Sequence, residues 1–274
     1  MELDEKIKRE CIRRGFTDRT IETYISCINK FLRFCGKDAR YVSKQDALDF
    51  LNYLSEKGLS GNSMNVYHMA LRFLLEEVLR KNIHLNIKYS KRPSKLPIVL
   101  TKDETRKLIE AIKNQKHRLI IELIYSAGLR VSELTNMRVC DLRIDKNYGF
   151  VRQGKGRKDR IFIIADCLKD KLRNLIAEEK LDDENNLFLT NKRERYSART
   201  LAEIIKTACK NSGINKKVHC HTLRHSFATH LIENSCSLSE VQSLLGHKSP
   251  ETTMIYVHLA APNMIKVRSP LESL

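Results

Sequence analysis

Through its first ninety residues the chain repeats apolar side chains at intervals of three and four, the spacing of helices with one buried face. Between Thr17 and Phe34 these are Ile21, Tyr24, Ile25, Ile28, Phe31 and Leu32. Ser43 is placed to cap a second helix through Ala47, Leu48, Phe50, Leu51 and Leu54, with Gly58 to stop it. A third is predicted from about Ser60 to Arg80, its buried stripe formed by Val66, Met69, Ala70, Phe73, Leu74 and Val78. No alternating pattern interrupts this part. Two prolines then bracket Lys88–Pro97, a stretch that reads as an extended linker because proline withholds a backbone donor and disfavours helix before it.

Beyond the linker, Thr101-x-x-Glu104 forms a capping box ahead of Leu108, Ile109 and Ile112. A buried helix is predicted over about Arg118–Ala127, and Gly128 breaks the chain just before Arg130. The period then shortens to that of strands: Leu142–Ile144, Phe150–Arg152 and Ile161–Ile164, with Gly154 and Gly156 between the last two. From Cys167 the pattern is helical again, with helix starts at Ser197, at Ser237 with Glu240, and at Ser249 with Pro250. The fold class expected is mainly α with a small antiparallel sheet, and 274 residues favour two domains over one.

Charge sharpens this picture. The chain carries a formal net charge of +17, and both halves hold more cations than anions. Such a balance points to a polyanionic partner. Lys88, Lys91, Arg92 and Lys95 suit the linker to strap a phosphate backbone. Eight cysteines include no Cys-x-x-Cys pair, so neither a zinc ribbon nor a redox motif is visible. The first residues hold no apolar export signal, and no apolar run approaches the roughly 18 residues of a membrane span. A cytosolic chain with reduced thiols is the economical expectation.

Three clusters could carry chemistry. Gly149-x-x-x-x-Gly154-Lys155 imitates a phosphate-binding loop, but Gly156 stands where the magnesium-binding hydroxyl belongs, and the segment leads from strand to strand. Nucleotide binding is therefore rejected. The same residues put Lys155 at a hairpin tip, with Arg157 and Lys158 beside it, where an ammonium could reach one phosphate oxygen. His221, Arg224 and His225 fall within one helical turn; the two histidines could hold a metal, but Thr222 stands where a zinc helix needs glutamate. Leu245-Gly-His247 closes one helix, and Tyr256 follows in the next. A lone tyrosine is usually a core residue.

Taken in order, Gly128-Leu-Arg130-Val-Ser-Glu133-Leu, Gly154-Lys155-Gly, His221-x-x-Arg224-His-x-Phe-Ala-Thr-His, Leu245-Gly-His247 and Tyr256 closely resemble the tyrosine site-specific recombinases, especially the Xer-like and phage-integrase branch. The resemblance spans the whole chain. It implies a helical, SAM-like core-binding domain over 1–87, a basic linker over 88–97, a catalytic α+β domain over 98–259 and a tail, 260–274, that docks on a neighbouring protomer. The two domains would close as a C-shaped clamp on DNA. Pro262 should end or redirect the helix of Tyr256.

The chemistry implied needs no metal, cofactor or ATP. Tyr256 would attack phosphorus, Arg130 and Arg224 would hold the non-bridging oxygens, and Lys155 would protonate the leaving 5′-oxygen. His221 would assist proton transfer, His247 would bond the scissile phosphate, and Glu133 would orient Arg130. DNA contacts would come from Lys88, Lys91, Arg92, Lys95, Arg157 and Lys158. The partners expected are duplex recombination sites and further copies of the chain, a monomer or weak dimer when free and a tetramer in synapsis, with no membrane. An integron- or phage-type integrase, a type IB topoisomerase and a non-enzymatic helix-turn-helix regulator are the alternatives. Only 32 residues lie between Phe188 and His221, and one helix predicted from Ser197 to Lys210 takes up much of that stretch, which leaves little room for the extra helix of integron integrases.

Overall fold

The structure is a computed structural model, and it describes residues 2–81, 83, 85, 96–152, 159–247 and 249–264. The chain divides into two compact units, Met1–Ser94 and Lys95–Leu274.

The first unit is helical throughout its described elements: α1 (Glu2–Arg13), α2 (Asp18–Cys35), α3 (Lys44–Glu56) and α4 (Gly61–Arg72), the last continuing into a π-helical segment, Phe73–Val78. Short polar side chains start these helices, at Ser43 as expected. Thr17 Oγ1 accepts from the Thr20 N–H, and Ser43 and Asp46 cap α3 reciprocally. Gly36, at φ 62°, ends α2 in the left-handed conformation that a side chain would resist. Ile7, Ile28, Phe31, Leu71, Leu74 and Leu75 are fully buried and form the centre of this core.

The stripe expected on α4 is displaced. Ala70, Phe73, Leu74 and Val78 are buried, but Val66 and Met69 are exposed, while Asn65 and His68 are buried in their stead. The buried face is turned by one residue, and His68 occupies it because its Nε2 bonds the Leu85 carbonyl at 3.2 Å. A polar ring with a partner can be buried at little cost.

The second unit runs α5 (Lys102–Glu110), α6 (Gln115–Ser126), α7 (Val131–Thr135), β1 (Leu142–Arg143), β2 (Tyr148–Val151), β3 (Arg160–Ile163), α8 (Lys169–Glu178), α9 (Ala198–Ser212), α10 (Cys220–Glu233), α11 (Leu238–Leu245) and α12 (Glu251–Met264). The strands form one antiparallel sheet in the order β1-β2-β3, with Leu142 opposite Gly149 and Val151 opposite Arg160. Gly149 thus lies inside a strand, and a Cβ there would come within 2.4 Å of the fully buried Phe162 ring. The glycine serves sheet packing, which accounts physically for the false phosphate-loop pattern.

Helix α10 is the centre of this unit, buried on nearly every side. The strand-like segment before α5 docks on it twice: the Leu100 N–H donates to Ser226 Oγ at 2.9 Å, and His230 Nε2 donates to the Leu100 carbonyl at 3.0 Å. Pro262 does not end α12, which continues to Met264 and so crosses the expected tail boundary at 260. The proline forfeits only its own bond to the His258 carbonyl, and the helix stops two residues later, within its last turn. All eight cysteines are free thiols. Among the described residues no helix is long and apolar enough to cross a membrane.

Candidate active site

A turn without a Cβ sets the site. Gly128 follows α6 at φ +57°, and a Cβ on it would lie 2.4 Å from the Phe227 ring of α10. The missing side chain lets the turn lie flat on α10, and the Gly128 carbonyl then accepts from Arg224 Nη1 at 2.5 Å. The chain re-enters helix at α7 with Arg130 as its cap residue. Glu133, three residues on, reaches back: the Arg130 N–H donates to Oε2 at 2.8 Å and Arg130 Nη1 to Oε1 at 2.5 Å.

Glu133 gathers further cations. Arg160, at the start of β3, donates to Oε2 at 2.6 Å and also to the Leu244 carbonyl at the end of α11. Arg224 Nη1 lies 3.8 Å from the same Oε2, and its Nη2 donates to the Leu245 carbonyl at 2.6 Å. The Glu133, Arg160 and Arg224 side chains are 4%, 7% and 3% exposed. Burial by itself would raise the Glu133 carboxyl, but Arg160, the Arg130 N–H and the Arg130 guanidinium outweigh it and hold it below its ordinary range. Burial, then repulsion from Arg130 and Arg160, brings Arg224 down to about 10. One carboxylate among three guanidiniums leaves a net positive hole, the electrostatic condition for receiving a phosphodiester.

Two histidines and a tyrosine complete the cluster. Gly246 ends α11 at φ 62° and turns the chain so that His247 faces Arg224, with Arg224 Nη2 3.3 Å from His247 Nε2. A guanidinium only donates, so Nε2 accepts and the ring proton sits on Nδ1, which donates to Thr253 Oγ1 at 2.9 Å. Burial and the cations Arg224 and Arg130 lower His247 to about 4, in keeping with that neutral form. Tyr256 is 3% exposed, its ring stacked 6.1 Å from His247 and packed among Phe227, Val241 and Leu245. Burial raises its hydroxyl above the ordinary value against the pull of Arg224 and Arg130, so it is a phenol, not a phenolate. That hydroxyl lies 3.0 Å from His225 Nδ1.

Of the residues singled out in the sequence, the structure brings together Arg130, Glu133, Arg224, His247 and Tyr256. His221 is on the exposed side of the α10 turn, its ring centre 6.4 Å from that of His225. Lys155, Arg157 and Lys158, like Lys88, Lys91, Arg92 and Lys95, lie outside the described residues. Two members escaped the sequence reading. His225 was weighed only as a metal ligand, although its place one residue after Arg224 put it on the same turn. Arg160 gave no signal, since an arginine opening a strand reads as a surface cation.

Residues 98–262 match the phage integrase family, and residues 3–85 match the N-terminal SAM-like domain of phage integrases. The chain belongs to the phage integrase family, the tyrosine recombinases, enzymes that cleave and rejoin DNA. Within it the chain is 38% identical over 256 residues to tyrosine recombinase XerA of Pyrococcus furiosus, covering 91% of this chain and 87% of that protein. It is 35% identical over 269 residues to tyrosine recombinase XerD of Oceanobacillus iheyensis, with 90% of each covered. Among solved structures, XerA recombinase matches at 30% identity and a TM-score of 0.58, covering 98% of this chain and 99% of that one. XerH site-specific recombinase bound to a palindromic difH substrate, in a post-cleavage complex, matches at 25% identity and a TM-score of 0.73, covering 95% and 82%.

Proposed function

We propose that this chain is a Xer-like site-specific recombinase that resolves chromosome or plasmid dimers. The observation that supports this most is the gathering of Arg130, Arg224, His247 and Tyr256, from separate segments spread over residues 130–256, around buried Glu133. On this reading a phosphodiester enters the positive hole and its non-bridging oxygens take donors from Arg130 and Arg224. The anion's charge offsets the cations that hold His247 neutral, so His247 can gain a proton and bond the phosphate. Tyr256 attacks phosphorus and Lys155 protonates the departing 5′-oxygen, leaving a 3′-phosphotyrosyl bond and a free 5′-hydroxyl. One phosphoester replaces another, so the bond energy is retained for rejoining.

Attack by the 5′-hydroxyl of a partner duplex exchanges one strand, and a second round resolves the Holliday junction. Four copies assemble on two sites in the cytoplasm, at the nucleoid, with residues 260–274 of each docking on its neighbour. The basic residues of 88–97, with Arg157 and Lys158, grip the backbone. The test is a supercoiled plasmid carrying two copies of the site at which the chain forms its covalent adduct, mapped beforehand on genomic DNA. Deletion or inversion is expected; relaxation alone would mean a topoisomerase, and a mobility shift without cleavage a regulator. Tyr256→Phe should abolish the covalent adduct while leaving site binding within a few fold. A persistent adduct in that variant would overturn Tyr256 as nucleophile.

A further inference from the structure

The group that touches the oxygen assigned to attack phosphorus, His225, stands within the motif that carries the family resemblance, but the resemblance gave it no role. His225 and His247 flank Tyr256, His221 lies beside His225, and their bonding separates the three. His247 has both ring nitrogens engaged in the free protein, Nε2 by Arg224 and Nδ1 by Thr253, and neither is bonded to the Tyr256 hydroxyl. His221 is exposed, on the outer side of its turn. His225 alone of the three is bonded to the hydroxyl, at 3.0 Å. Its ring centre is 5.7 Å from that of Tyr256, and the two residues come from the helices α10 and α12, so packed elements rather than a loop hold the pair.

We propose that His225 is a catalytic residue, the acceptor of the Tyr256 proton. The inference rests on the recombinase reading above. As the Tyr256 Oη–P bond forms and the P–O5′ bond breaks, the hydroxyl proton passes to Nδ1 of His225 and the leaving oxygen takes its proton from Lys155. Rejoining reverses both transfers: His225 returns its proton to the tyrosyl oxygen as the 5′-hydroxyl gives up its own. The groups facing His225 are His221 and Arg224 on its own helix, Tyr256 on α12 and His247 on the turn before it. Burial and the first two hold His225 near 4 in the free protein, so its lone pair is open at neutral pH. An incoming phosphate offsets Arg224 and raises the ring's basicity as the proton begins to move.

The experiment compares single-turnover cleavage by wild type, His225→Asn, His225→Gln and His221→Asn on a nicked duplex carrying the mapped site. Asparagine keeps an acceptor oxygen near the Nδ1 position but cannot hold a proton. Loss of general-base assistance is expected to slow His225→Asn by roughly 100-fold or more. Its rate should also rise log-linearly with pH, because solvent must then ionise the phenol, whereas wild type is flatter and His221→Asn keeps the wild-type profile. His225→Gln checks the result should the asparagine variant melt early. A wild-type rate and profile in both His225 variants, or faster cleavage in either, overturns the proposal. Absence of any wild-type adduct would instead count against the recombinase reading itself.

Discussion

Replacing Glu133 with glutamine tests the centre of the cluster. The change preserves shape and one acceptor oxygen but deletes the carboxylate shared by Arg130, Arg160 and Arg224. With Arg160 and Arg224 under one-tenth exposed, water cannot replace it. Removing one partner of a buried ion pair costs roughly 3–5 kcal/mol, because the stranded charge has been desolvated without compensation. For a unit of this size each kcal/mol lowers the melting midpoint by roughly 2–4 °C, so a fall of roughly 6–20 °C is expected in chloride. Sulfate should shrink that fall, since the unpaired guanidiniums gain an anion, and adding Arg160→Met should recover part of it by removing one stranded charge. Thermal melts of the three proteins in matched chloride and sulfate supply the measurement. A Glu133→Gln midpoint within about 2 °C of wild type would refute the claim that this carboxylate holds the guanidiniums together.

Gly128→Ala should cost roughly 2–5 kcal/mol, combining the left-handed penalty with a Cβ driven into the Phe227 ring. Gly213→Ala, at φ +70° with nothing within 4 Å, should lose only the backbone part, roughly 1–2 kcal/mol; equal losses in urea titrations would show that the Phe227 approach is unimportant. Lys155→Ala should slow cleavage of ordinary DNA, and a 5′-bridging sulfur, which leaves without protonation, should restore much of the rate. No rescue would make Lys155 a DNA clamp and Lys158 the next candidate acid. His225 and His247 have folded values near 4 against an ordinary 6.5, so the unfolded chain binds more protons in between. Stability should therefore be full above pH 6.5 and decline as pH falls from 6.5 towards 4, and His225→Asn should reduce that decline in melts across the range; an undiminished decline would mean His225 is not held neutral.

Local signals settled much of this protein before any tertiary contact was considered. The capping serines and threonine at 43, 101, 197 and 237 start helices where they should, because a cap is satisfied within its own turn. The strands lie within two residues of their expected bounds, and the recombinase resemblance stands on short motifs whose order survives in the linear chain. Which face of α4 is buried was not legible there, since Asn65 and His68 look like surface residues until other segments supply their surroundings. Nor was the continuation of α12 past Pro262, where local chemistry gave the opposite expectation. The partner of the Tyr256 hydroxyl and the role of Arg160 were hidden for a deeper reason. A hydrogen bond between residues 31 or 27 positions apart leaves no periodic trace, and only the packing of α10 against α12, and of β3 against α11, decides that His225 meets the tyrosine and Arg160 the buried carboxylate.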